Sequence, residues 1–301
     1  MPSTLVHLGV QGLASRIVFR TADLKWVFLG LVIPDVPWII QRAIRVLPVS
    51  PDPYALKLYG VVQSSLAFCL LLGAALALLS ASFWKTWAVL AFNSLLHLLI
   101  DAAEQKGGNG VFLFAPASWR MTDGDLLPAE GWAITLLTAL GVAVGLWGLY
   151  QQARAPAGPI LPVRGGRGLA AAAGLAAYGL LPLAFLQGPL RADAFSIRTL
   201  QDVEHRPGRA AAFDRAVYLP GDGGRLRLFS GEILRVEGLP LDRQQQVTAS
   251  GVFTAPDLFR VDRWTPHTPH YRDSLTGLGL AFGAAMWLHA GIRRMRRTWK
   301  P

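Results

Sequence analysis

The stretch Phe83-Trp84-Lys85-Thr86-Trp87-Ala88-Val89-Leu90-Ala91-Phe92-Asn93-Ser94-Leu95-Leu96-His97-Leu98-Leu99-Ile100-Asp101 decides how this chain is read. A helix crosses a hydrocarbon core in about 20 residues. This run meets that length with Lys85 near its start and His97 and Asp101 at its far end. Backbone groups in lipid must bond within their own segment, so the run is a helix rather than a strand. Working outward, residues 56–80 carry no charge after Lys57, and residues 131–150, 168–187 and 275–292 repeat the pattern. The last run closes on Arg293, Arg294, Arg296 and Arg297. Of the 301 residues, 52% are hydrophobic and only 16% charged, against about 25% charged in soluble domains. The sequence therefore predicts a mainly α membrane protein, a polytopic helical bundle.

Two segments fit that plan less simply. Residues 1–20 carry Arg16 and Arg20 and are too weakly apolar for a signal peptide, so they read as an amphipathic helix at the membrane surface. Residues 26–40 are apolar but contain Pro34, Asp35 and Pro37, which predicts a broken or re-entrant segment. The lone Cys69 falls inside a span, so no intramolecular disulfide or redox motif is expected.

Between residues 190 and 273 the pattern changes to period two. Arg225-Leu226-Arg227-Leu228-Phe229 alternates as a half-buried strand does. Residues 211–219, 233–237, 246–253 and 258–264 are four more strands, divided by turns such as Pro220-Gly221-Asp222-Gly223-Gly224 and Ala255-Pro256-Asp257. Five short strands with Gly-rich turns predict a small antiparallel β-barrel of the OB type. The expected organisation is a helical domain over 1–150, a basic loop and span over 151–189, the barrel over 190–273, and a final span with a basic tail over 274–301.

The net charge of +10 is explained by arginines flanking spans, the positive-inside signal, rather than by nucleic acid. The most basic, acid-free segments are residues 154–167 and 293–300, which places both in the cytoplasm and residues 190–273 outside, with the 101–130 loop. Barrel and loop would then be periplasmic if the membrane is a bacterial inner membrane.

Ionisable groups within spans are costly and are functional candidates by default. His97 and Asp101 are four apart, so both project from one helix face, a common two-ligand unit for zinc or a similar metal. The alternative is that Asp101 ends the helix and orients His97 by a hydrogen bond. Asp35, between Pro34 and Pro37, and His7 are the next candidates. His267 and His270 lie in a proline-punctuated connector, where a His-x-x-His pair is a weak metal signal, and His289 should face another helix or the interface.

The order Thr4-Leu5-Val6-His7, Gly30-Leu31-Val32-Ile33-Pro34-Asp35, His97-Leu98-Leu99-Ile100-Asp101 and Gly110-Val111-Phe112-Leu113-Phe114-Ala115-Pro116 resembles the inner-membrane-associated metal-dependent hydrolases. More distantly it resembles the ligand order of zinc-dependent phospholipase C. The likeness covers residues 1–120 and implies a metal held by His7, Asp35, His97 and Asp101. The family's His-Arg-Gly-x-Thr-His stretch aligns with Tyr59-Gly60-Val61-Val62-Gln63-Ser64, so two of its histidines are Tyr59 and Ser64 here. That departure leaves donors for one ion, not two. Two functions follow as expectations. One is hydrolysis of an ester or phosphoester, lipids included, with Asp123 or Glu130 as general base. The other is a non-catalytic accessory or assembly subunit that grips a partner in a membrane complex through residues 190–273.

Overall fold

The computed structural model describes residues 3–20, 22–44, 47–48, 51–104, 110–124, 126–128, 130–154, 165–221 and 223–298. Arg45, Lys106, Asp125 and Asp222 lie outside them, as do most of the basic loop 154–167 and the end of the basic tail.

The first two turns of helix α1 (Thr4–Val18) are buried on all sides, with Leu5, Val6, His7, Leu8 and Gln11 inside, while Leu13, Ile17 and Val18 are exposed. This corrects the expectation of a surface helix for residues 1–20. The reason is a stripe of small residues. A Cβ on Gly9 would stand 2.8 Å from the Gly141 nitrogen, and one on Gly141 would run into the Leu5 carbonyl. Small residues let two helix backbones touch and gain dispersion contacts along their length. Arg16 stacks on Trp147, 4.4 Å from the ring centroid, which disposes of its charge at the bundle's edge.

Helices α2 (Leu24–Val32) and α3 (Val36–Ile44) are joined by one 3-10 turn, Ile33–Asp35. Together they form one segment, Leu24–Ile44, long and apolar enough to cross a bilayer. The expected break is therefore absent. Pro34 and Pro37 sit in the 3-10 turn and the first turn of α3, where a missing N–H costs little. The break falls instead between α4 (Pro53–Gln63) and α5 (Leu66–Ala77), bent by 69°, within residues 56–80 that read as a plain span. Ser65 there is extended at φ −68°, ψ 155°, and the Ser64 hydroxyl turns back to the Val61 carbonyl at 3.2 Å. Hydroxyls that bond the local backbone offer it an alternative to the helical ladder.

Helices α6 (Phe83–Ala103), α7 (Trp132–Arg154), α8 (Gly165–Leu180), α9 (Gln187–Arg191), α10 (Ile197–Gln201) and α11 (Tyr271–Thr298) complete the helical part. Among the described residues, five segments are long and apolar enough to span a membrane, or six if the bent pair counts as one. Large apolar side chains such as Leu136, Leu146, Leu169, Leu180 and Leu288 point outward from them.

Residues 210–267 form a closed barrel in the order β1-β2-β3-β5-β4, with β4 returning to β1. The strands are β1 (Ala210–Leu219), β2 (Arg225–Arg227), β3 (Ile233–Glu237), β4 (Gln245–Ala255) and β5 (Leu258–His267). One pair, β3 with β5, is parallel, so the expected all-antiparallel barrel needs correction. Closure requires it, because the β4–β5 hairpin enters between β1 and β3 and one of its strands must run with its neighbour. The period-two pattern turns Phe213, Phe253 and Phe259 inward, with ring centroids 4.9 and 5.1 Å apart around Phe259. His267, expected in a connector, is the last residue of β5. The barrel, the start of α11 and the segment around residue 119 share one end of the bundle. Thr268 bonds Glu130, and Trp119 closes on Gly188.

A candidate metal centre inside the bundle

Three elements bring four side chains together: α1 supplies His7, the 3-10 turn supplies Asp35, and α6 supplies His97 and Asp101. Polar contacts on α6, one turn before His97, set this meeting. Asn93 Oδ1 accepts from Ser15 Oγ on α1 at 3.0 Å, and Ser94 Oγ donates to the Gly30 carbonyl on α2 at 3.2 Å. Gly30 is required, because a Cβ there would lie 2.8 Å from that of Asn93. These ties fix α6 against α1 and α2 at the depth where His97 faces His7.

His7 Nε2 stands 3.4 Å from Asp101 Oδ1, His97 Nε2 3.5 Å from Asp101 Oδ2, and His97 Nε2 3.7 Å from Asp35 Oδ1. The side chains of His7, His97 and Asp101 are 0% exposed, and that of Asp35 is 18% exposed. Nε2 of His7 and both ring nitrogens of His97 are buried without a hydrogen bond of good geometry, His97 lying near the Leu31 backbone. The separations are long for hydrogen bonds, which centre near 2.9 Å. They match the edge of a ligand tetrahedron instead: donors about 2.0–2.1 Å from zinc lie about 3.4 Å from one another. One donor atom each of His7, His97 and Asp101 lies within 4.8 Å of the other two, whereas Asp35 reaches only His97 and falls outside that group.

Charge makes the same point. Two carboxylates beside two imidazoles in a water-poor interior call for a positive counter-charge, which a bound cation or a protonated imidazole supplies, because an uncompensated charge there costs several kcal/mol. One divalent cation would neutralise the set. The imidazole rings are stacked, centroids 3.8 Å apart and planes 5° from parallel. Binding one ion through both therefore requires a tilt about χ2, a broad torsion for histidine. Gln11 Nε2, one turn after His7, lies 3.2 Å from its Nδ1 and donates to it, which leaves the proton on Nε2, the nitrogen that faces Asp101. Coordination through Nε2 would need the amide turned over, so that its oxygen accepts from Nδ1–H.

The other expected residues are elsewhere. Glu130 accepts from the Thr268 amide at 2.9 Å and hydroxyl at 2.7 Å, so it ties the barrel to α7 rather than facing the four donors. Asp123 is exposed on the 110–124 segment. Tyr59 Oη donates to the Gly179 carbonyl at 2.6 Å, so it serves helix packing and does not face the four donors. His267 bonds Thr248 in the barrel, His270 is exposed, and His289 is half-buried in α11. Gln11, Ser94 and Asn93 were not singled out from the sequence. Spacing offered a signal for Gln11, four after His7 and so on the same face. Comparison of the chain with protein-family models, with curated proteins and with solved structures gives no match, so the likeness to metal-dependent hydrolases rests on the residues quoted for it.

Proposed function

We propose that this is a multi-pass membrane protein with a mononuclear, zinc-like centre formed by His7, Asp35, His97 and Asp101, related in chemistry to metal-dependent hydrolases of esters or phosphoesters. The observation that carries the reading is the group of buried, unbonded nitrogens set 3.4–3.7 Å from carboxylate oxygens. A bound ion of this kind supplies Lewis acidity and a nucleophile at neutral pH. His7, His97 and Asp101 are held rigidly by packed helices, which excludes water from three sides. Asp35 alone has exposed surface, so a substrate would arrive on its side. Substrate would be a lipid or another ester at the bilayer edge. The arginine-rich segments 154–167 and 293–300 favour the cytoplasm, which would set the barrel, with the strand order of an OB-type fold, in the periplasm of a bacterial inner membrane.

A second reading, a non-catalytic accessory or assembly subunit using the barrel to hold a protein partner, is favoured by one specific observation. Tyr59 and Ser64 occupy the positions of two family histidines and serve packing. Metal analysis and a phosphoesterase assay on the purified protein separate the two. One ion per chain with activity lost in His97→Ala supports hydrolysis. An ion without activity, or no ion in a preparation supplied with zinc, overturns hydrolysis and supports the accessory role.

A further inference from the structure

A cavity of about 380 Å³ opens at the seam between barrel and bundle, and it shares no residue with the metal centre. Arg42 and Lys57 reach it from α3 and α4, Arg272 from the first turn of α11, and Arg215 and Arg227 from β1 and β2. Five cations face two carboxylates in the lining, both engaged, and Glu104 and Glu130 act on Arg215 from nearby. Asp273 takes Arg42 Nη2 at 3.1 Å and lies 3.8 Å from Arg272 Nε, while Asp214 accepts from the Thr248 hydroxyl at 2.9 Å.

The cations are set in place rather than scattered. Lys57 Nζ lies 4.2 Å from the Phe195 ring centroid, 5.1 Å from Trp38 and 5.3 Å from Phe229, so three ring faces hold the ammonium at the wall. Arg215 stands on a bulge where Asp214 and Arg215 together oppose Thr248, and its φ of 53° is left-handed. Bulges re-aim side chains, and this one turns a guanidinium toward the seam. Burial and the neighbouring Arg272 push that guanidinium below its ordinary range. Like charges crowded in a partly desolvated cavity call for an anion.

We propose that this cavity binds a phosphate-bearing anion, either an anionic phospholipid headgroup at the bilayer edge or a free phosphate compound. Guanidinium forks bond phosphate oxygens in pairs, and the lysine adds a point charge.

The test uses the full chain. In one arm, nanodiscs of phosphatidylcholine with and without phosphatidylglycerol are followed by the anionic lipid retained after detergent exchange. In the other, calorimetry is run with inorganic phosphate. Arg227→Gln, an exposed change on β2 that the fold tolerates, and Arg215→Gln are compared with Lys85→Gln at the opposite end of the bundle. Retained phosphatidylglycerol reduced at least about tenfold by the first two variants only supports the proposal with a lipid as source. Phosphate binding weakened by the same variants, with no retained lipid, supports it with a free compound as source. Neither ligand bound, or binding unmoved by Arg227→Gln and Arg215→Gln, overturns it.

Discussion

The bundle interior and the barrel each bury histidine beside carboxylates, yet they resolve the contact differently. In the barrel a hydroxyl stands between His267 Nε2 and Asp214, while His267 Nδ1 faces Glu130 directly at 3.8 Å. His267 Nε2 meets Thr248 Oγ1 at 2.7 Å, and that hydroxyl reaches Asp214 at 2.9 Å. In the bundle nothing interposes, and the nitrogens of His7 and His97 face the oxygens of Asp101 and Asp35 across 3.4–3.7 Å. A hydrogen-bonded network closes on itself and holds two strands together. A set of converging lone pairs at ligand-edge spacing leaves a gap shaped for a cation. The same residue types thus meet through a bridging hydroxyl at His267 Nε2 and directly in the bundle, where the group could hold a metal.

The largest expected effect tests the bundle side. His97→Ala should abolish metal retention altogether, read as zinc per chain by elemental analysis. Unchanged stoichiometry would place the ion elsewhere. Gln11→Ala, which removes only the orienting contact on His7, should weaken zinc affinity by about 10–100-fold in a chelator competition.

On the barrel side, Arg206→Ala should cost about 3–5 kcal/mol, because it leaves Glu232 and the Leu200 and Pro256 carbonyls without a buried guanidinium. Amide exchange in β4 should rise while metal content stays constant.

A smaller effect is a pH slope. Burial, reinforced by Arg215, holds His267 down at about 4 against its ordinary 6.5, although Asp214 and Glu130 pull the other way. Between those values the unfolded chain takes up a proton that the folded chain refuses. Barrel stability should then fall as pH falls from 6.5 toward 4, by about 2 kcal/mol. His267→Gln should flatten that slope. Last, Arg42→Ala removes an exposed ion pair with Asp273 and should change thermal stability by no more than about 0.5 kcal/mol.

Legibility followed the range of the interaction. The five strands were readable within a few residues, because alternation along β3 or β5 is a local record of which face is buried. The runs at 83–101, 131–150 and 275–292 were readable for the same reason, since length and apolarity are properties of one segment. The break at Ser64–Ser65 was missed and one at Pro34 was expected instead. A proline's cost depends on where in a helix turn it falls, and a serine's choice to bond backward depends on what packs beside it. Of the site, His97 and Asp101 were visible as an i, i+4 pair. That Glu130 serves Thr268 and not the metal centre could not be seen, because its partner is more than a hundred residues away.

The apolar helices, the inserted strands and the His97–Asp101 pair were all legible along the chain, since each is written in the spacing of neighbouring residues. Only the tertiary structure decided that α1 lies inside the bundle, that Asp35 meets His97, that one barrel pair runs parallel, and that five cations converge at the seam. Those outcomes rest on close backbone approach at Gly9, Gly30 and Gly141 and on closure of the barrel. Such contacts join distant parts of the chain, and no local pattern encodes them.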